Sequence, residues 1–243
     1  MPKLAKEPNL AVETLLWEKN PGGVFVFGVD EAGRGCLAGP VCAAVASWAP
    51  CASNPVPVRD SKQMTHDQRE ACFEPVRAGA HAYGVGFASR EEIDRFNILR
   101  ANHLAVLRAV EAALERVGAL AGRFVFLSDG NRPLVQNARD FLVHPEHRSE
   151  FPLSSRLFEQ GFDEQCHVKG DGKVFSIASA SILAKVSRDR HMVELDRLHP
   201  GYEFATHKGY STPRHVAILR RRGPCPEHRR TFSPVTETLA LFS

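Results

Sequence analysis

No stretch of the chain approaches the roughly 18 consecutive apolar residues that a membrane span requires. The opening Met1-Pro-Lys-Leu-Ala-Lys-Glu has none of the apolar core of a secretory signal. Also missing is any Cys-x-x-Cys pair, since the six cysteines stand at 36, 42, 51, 72, 166 and 225 without regular spacing. That argues against a zinc site or a disulfide framework and for reduced, mostly buried thiols in a cytoplasmic protein. Internal repeats and low-complexity tracts are absent too. What remains is an ordinary globular composition, 43% hydrophobic and 24% charged over 243 residues, enough for one sizeable core.

Net charge is small, at +3, but charge is unevenly placed. From Lys185 to Thr231 there are 11 Lys and Arg against 5 Asp and Glu, with five of the eleven histidines, and the rest of the chain is slightly acidic. A basic C-terminal third beside an acidic site suits a nuclease, with cations for phosphates and carboxylates for metal. An exposed basic surface without a partner fits the same count.

The chain is organised around residues 24 to 40. Val24 to Val29 is apolar and β-prone and reads as a buried strand, followed at once by Asp30 and Glu31 and then Gly33-Arg34-Gly35. Two adjacent carboxylates repel and are best tolerated near a hard divalent cation. Taken alone, the same residues also fit acids solvating a plain glycine turn.

Further on, Val41 to Trp48 reads as a second strand, Thr65 to Ala78 as a helix that Pro75 kinks or stops early, and His81 to Ala88 as a third strand. Ser89 and Glu92 form a capping box, Asn97 to Val117 is a long amphipathic helix, and Arg123 to Leu127 a fourth strand ending at Asp129. Residues 132 to 163 show no clear period and read as an insertion loop with one short helix. Gln165 to Val168 is a fifth strand leading to Asp171, Val174 to Leu198 is a long helix, and Thr212-Pro213 opens another that reaches Arg222. A last helix begins near Pro234. The expected architecture is α/β: a mixed five-stranded sheet flanked by helices over 24–243, with an extension over 1–23 and a helical part from about 199. Asp30, Glu31, Asp129 and Asp171 would then meet at the strand ends and suit two Mg²⁺ or Mn²⁺ ions about 3.5 to 4 Å apart.

Several motifs in order carry a family resemblance. They are Val29-Asp-Glu-Ala-Gly-Arg-Gly, Asp60-Ser-Lys, Asn97-Ile-Leu, Asp129-Gly-Asn-Arg, Lys169-Gly-Asp, Ala180-Ser-Ile-Leu-Ala-Lys-Val-Ser-Arg-Asp, His207-Lys-Gly-Tyr and His228-Arg-Arg-Thr-Phe-Ser-Pro-Val. Together they resemble bacterial ribonuclease HII over about residues 24 to 236. The resemblance implies a ribonuclease H-like fold with a C-terminal helical part. It implies metal-dependent endonucleolytic cleavage of RNA in RNA–DNA hybrids and nicking 5′ of single ribonucleotides in duplex DNA, leaving 3′-hydroxyl and 5′-phosphate ends. It makes Asp30, Glu31, Asp129 and Asp171 the metal-binding carboxylates. Gly33, Arg34 and Gly35 resemble the loop that reads the 2′-hydroxyl, and Tyr210 the aromatic that stacks on the next deoxyribose. Ser61, Lys62, Lys185 and Arg188 look like phosphate anchors. A fourth acid that is Asp rather than Glu favours type HII over type HIII, as does the absence of a long N-terminal extension. The expected partners are the hybrid and the ribonucleotide-bearing duplex, with no membrane and a monomeric enzyme.

Three departures stand out. Cys36 replaces a common proline and is expected to loosen the glycine loop, Gly172 replaces a usual serine, and the 132–163 insertion lengthens the path from Asp129 to Asp171. The terminal Leu239-Ala-Leu-Phe242 faintly resembles a sliding-clamp-binding peptide but lacks its leading glutamine and second aromatic. It reads instead as an apolar helix end packed on the core. Against the main reading stand a DNA-only nuclease of the same fold and an inactive hybrid-binding module. The glycine loop with Tyr210 disfavours the first, and four intact acids disfavour the second.

Overall fold

The computed structural model describes residues 7–51, 53–118 and 120–242. Helix α1 (Ala11–Lys19) precedes an antiparallel pair, β1 (Val24–Ala32) and β2 (Val41–Ser47). Helix α2 (His66–Gly79) leads to β3 (Ala82–Ala88), then to α3 (Arg90–Val117) and β4 (Arg123–Asp129). A 3₁₀ helix over Gln136–Val143, α4 (Pro145–Glu150) and α5 (Pro152–Gln160) come before β5 (Asp163–His167). The chain ends in α6 (Phe175–Leu198), α7 (Phe204–His207), α8 (Pro213–Arg222) and α9 (Val235–Phe242).

The sheet order is β3-β2-β1-β4-β5, with β1 antiparallel to β2 and parallel to β4, and β4 parallel to β5. This is the expected mixed five-stranded sheet. β1 lies at its centre and is buried on both faces, which explains its unbroken apolar run. One face packs on α3 through Phe27, Val29, Val45, Ala105 and Val110, and the other on α6 through Ala44, Ala46, Phe175 and Ile182. Gly28 sets the closeness of α6, because a Cβ there would lie 2.0 Å from the carbonyl carbon of Ser176.

One expected interruption turns out differently, and the helix expected from Asn97 does begin there. Pro75 does not stop α2, which runs on to Gly79. Cys72, Phe73 and Val76 hold one buried face on both sides of it, while Pro75 itself is exposed. Asn97 has φ 67° and breaks α3. Its Oδ1 accepts from the N–H groups of Leu99 (3.0 Å) and Arg100 (3.1 Å), so it caps the long helix that follows, while the Ser89–Glu92 box starts the short one before it.

The 132–163 segment is no loop. Pro145 and Pro152 start helices α4 and α5, and carboxylates remote in sequence satisfy the free amides. Glu164 accepts from the N–H groups of Leu134, Val135 and Gln136, and Glu111 from those of Leu153 and Ser154. No local pattern announces such caps. At the other end of the chain, Leu239 packs against Leu37, Leu219 and Val235, while Leu241 is exposed, so only part of the last helix end joins the core.

Candidate active site

The carboxyl ends of the parallel strands bring the acids together. Asp30 sits near the end of β1 and Asp129 ends β4, while Asp171 lies on a single 3₁₀ turn, Gly170–Gly172, just after β5. One carboxylate oxygen from each lies within 4.8 Å of the others. Lys169 adopts left-handed backbone (φ 57°), and the turn that follows delivers the Gly170 N–H to Asp129 Oδ1 at 2.7 Å. Asp30 is 6% exposed and Asp171 2%, so two of the three carboxylates are buried.

Burial pushes the Asp30 carboxyl well above the usual carboxylate range, and the nearby charges of Glu31 and Asp129 push it further. A Ser181 hydroxyl and the Glu31 N–H, 2.7 Å from Asp30 Oδ1, act in the opposite direction. Such a cluster lacks positive charge. Lys62 supplies some, with Nζ 2.7 Å from Asp171 Oδ2. Partial burial opposes the Lys62 charge, but the bond to Asp171 and the attraction of all three acids outweigh it and raise its pKa to about 12. Buried, like-charged oxygen donors of this kind fit a hard divalent cation such as Mg²⁺ or Mn²⁺.

Glu31 stands apart. Its Oε1 accepts from Arg34 Nη1 at 2.9 Å, and the trio of converging acids does not include it. Neighbours on a strand point to opposite sides, so Glu31 leaves β1 in a different direction from Asp30, with its charge still close enough to raise the Asp30 pKa.

The glycine loop is held from beneath. Gly33 has φ 91°, and a Cβ there would lie 1.9 Å from Arg188 Nε. Arg229, fully buried, donates to the carbonyls of Gly33 (2.7 Å), Arg34 (2.8 Å), Gly39 (3.0 Å) and Pro40 (3.2 Å). In a trans peptide the N–H points opposite to the C=O, so the Arg34 and Gly35 amides turn away from Arg229. Burial, and then the charge of Arg188, lowers the Arg229 pKa to about 10, which leaves it charged at neutral pH. Cys36 does not loosen this loop. It is buried and bridges Tyr210 in an antiparallel pair, and Leu37 N–H bonds to Gly209 C=O at 2.8 Å. Tyr210, 38% exposed, therefore sits beside the loop, with Lys185 Nζ 5.1 Å from its ring centre.

Two residues read as phosphate anchors are not placed for that task. Arg188 is fully buried and donates to the carbonyls of Pro40 (2.9 Å), Lys208 (2.9 Å) and Ala38 (3.2 Å). Ser61 is buried too, its Oγ 2.7 Å from Ser181 Oγ. Lys185 is one-fifth exposed and paired with Asp189 at 2.8 Å, whereas Lys62 is open to solvent. Sequence reading gave Arg229 no role, because nothing local marks an arginine that serves carbonyls some 190 positions away. Asp60 likewise carries no local mark of its role; its Oδ1 accepts from the Lys62 N–H at 2.9 Å and shapes the turn behind that lysine.

Comparison with known proteins gives the family and the fold. A family model described as Ribonuclease HII matches residues 27–126 and 148–235. The chain is 42% identical over 217 residues to the ribonuclease HII of Polynucleobacter necessarius subsp. necessarius (strain STIR1), covering 89% of this chain and 96% of the relative. Ribonuclease H2 from Pyrococcus horikoshii OT3 superimposes with a TM-score of 0.59 at 24% identity, over 90% of this chain and 98% of that one. The ribonuclease HII of Archaeoglobus fulgidus, solved as a complex with PCNA, gives a TM-score of 0.61 at 23% identity, over 86% and 95%. At those identities the two structures establish the ribonuclease H-like fold.

Proposed function

The chain belongs to the ribonuclease HII family, and from that premise we propose that Asp30, Asp129 and Asp171, with Glu31, form its metal-holding catalytic centre. The protein is an endonuclease that cleaves RNA in RNA–DNA hybrids. The family depends on divalent metal, and the buried acidic cluster supports that chemistry here. Two Mg²⁺ or Mn²⁺ ions held there would stabilise developing charge and make a bound water acidic enough to act as nucleophile.

The chain's own residues supply the rest. Asp30, Asp129 and Asp171 fix the position of positive charge, and Lys62 holds Asp171 until that charge arrives. Arg229 pins two carbonyls of the Gly33-Arg34-Gly35 loop, and so leaves outward-facing amides to read a 2′-hydroxyl, the group that separates RNA from DNA. Tyr210 stacks on the sugar beyond the cut and requires a deoxyribose there. Cleavage falls 5′ of the ribonucleotide and leaves 3′-hydroxyl and 5′-phosphate ends. Lys62 and Lys185 meet the phosphates of the hybrid and of duplexes with embedded ribonucleotides.

The observation that carries this reading is the approach of Asp30, Asp129 and Asp171 to within 4.8 Å. The test is a duplex with one embedded ribonucleotide, assayed with Mn²⁺, with Mg²⁺ or with chelator, beside an all-DNA control. Cleavage only of the ribonucleotide strand, and only with metal, is expected. Equal cutting of the all-DNA control would point to a DNA nuclease, and no cutting under any metal to a hybrid-binding module.

A further inference from the structure

Residues 7 to 13 cross between two loops whose tips meet at the acidic centre. On one side Pro8 C=O accepts from Asn54 Nδ2 at 2.7 Å, and Glu7 pairs with Arg59 at 2.9 Å, although that exposed pair contributes little. On the other side Asn9 and Val174 form a parallel bridge, with Asn9 N–H to Lys173 C=O and Phe175 N–H to Asn9 C=O, both 3.1 Å. Leu10 is buried in the same apolar cluster as Val56, Val58 and Phe175.

Glu13 completes the contact. It is 1% exposed, and its Oε1 accepts from the Ser176 N–H at 2.8 Å. Helix α6 begins after Val174, whose side chain has no acceptor to cap it, so a carboxylate from another helix fills that place. Burying a carboxylate is costly, and a fixed task for it is the expected compensation.

Followed around, the bonds form a closed circuit. Pro8 holds Asn54, the chain from Asn54 runs through Asp60 to Lys62, Lys62 meets Asp171, and two residues later Lys173 returns to Asn9. Residues 7–13, unlike the two loops they join, lie outside both segments that match the family model. We propose that residues 7–13 are a strap, with Glu13 as its key positioning residue, that sets where Asp171 stands relative to Lys62 and Asp30. The strap touches neither substrate nor metal; it acts through the Asp171 turn. This rests on the metal-holding role proposed above for Asp171.

The test titrates Mn²⁺ into the full chain without substrate, by calorimetry or by the electron paramagnetic resonance of free Mn²⁺. Glu13→Ala should weaken Mn²⁺ binding about tenfold, as loss of an outer support of a metal ligand commonly does. Its kcat should fall while KM for the hybrid stays constant. Glu13→Gln should restore both, since a carboxamide oxygen also accepts the Ser176 N–H. Asp171→Asn is the reference: if it leaves Mn²⁺ affinity unchanged, the metal-site reading fails. If Asp171→Asn weakens binding but Glu13→Ala binds Mn²⁺ like the parent, even with a lower melting temperature, the strap is overturned. Should Glu13→Ala not fold, Asn54→Ala decides the matter in the same titration: weaker binding supports the strap and parental binding refutes it.

Discussion

His215 and His228 share one proton between their Nε2 atoms, 3.1 Å apart behind the turn that carries Tyr210. Its position follows from the neighbours. Cys225 N–H donates to His228 Nδ1 (3.0 Å), so His228 carries its proton on Nε2 and donates to His215, whose Nδ1–H then bonds Tyr210 C=O (2.9 Å). His207 is neutral by the same logic, accepting from Gly209 N–H on Nδ1 (3.2 Å) and donating from Nε2 to Tyr202 C=O (2.7 Å).

This neutral chain makes stability depend on pH. Burial first, and then the neighbouring imidazoles, lower His215 to about 4 and His228 to about 3 from an ordinary 6.5. Between those values the unfolded chain binds more protons than the folded one, so stability is complete above pH 6.5 and falls as pH drops toward 4. Urea midpoints should hold from pH 7.5 to about 6.5 and fall from there to pH 5, and His228→Gln should flatten that fall. A profile unchanged by the substitution would remove these histidines from the account.

Asp30→Asn should abolish cleavage, by a thousandfold or more on the scale of several kcal/mol of lost charge stabilisation, while hybrid binding holds within a few-fold. The same variant should melt higher than the parent in chelator, because it removes a buried charge that faces Glu31 and Asp129. Cleavage and hybrid-binding assays check the first claim and melting curves with and without Mn²⁺ the second, since the variant should also lose most of its response to metal.

Arg229→Met keeps the volume but leaves the Arg34 and Gly39 carbonyls without their donor, and those of Gly33 and Pro40 with only Cys36 N–H and Arg188. A loss of about 2–4 kcal/mol in denaturant unfolding is expected, given what charged hydrogen bonds contribute and what unpaired groups cost. In the folded fraction, discrimination between ribose and deoxyribose at the cut site should narrow, measured as a ratio of kcat/KM.

Tyr210→Ala should cost activity chiefly on a single embedded ribonucleotide and less on long hybrids, where a deoxyribose is not available beyond most cuts. Paired rates on the two substrates test this, and equal losses would contradict the stacking role.

Affinity for the hybrid should fall as salt rises, because each phosphate contact releases counterions. Lys62→Ala should make the slope of log affinity against log salt shallower by about one contact. An unchanged slope would mean that Lys62 serves Asp171 alone.

Much of this protein is written locally. Alternation and apolar runs placed the first four strands, because a sheet covered by helices demands them, whereas the polar edge strand β5 offers no such run, and the capping boxes at Thr65 and Ser89 are spelled in four residues each. Acids at the strand ends were legible for the same reason, since a strand has a definite end and a side chain there has one edge to face. Tertiary structure alone decided the partners: Arg188 and Ser61 inward, Arg229 under the glycine loop, Glu31 with Arg34, and Glu111 and Glu164 capping helices of the insertion. A buried polar group must be satisfied by whatever the fold brings within 3 Å, and that neighbour can lie anywhere along the chain.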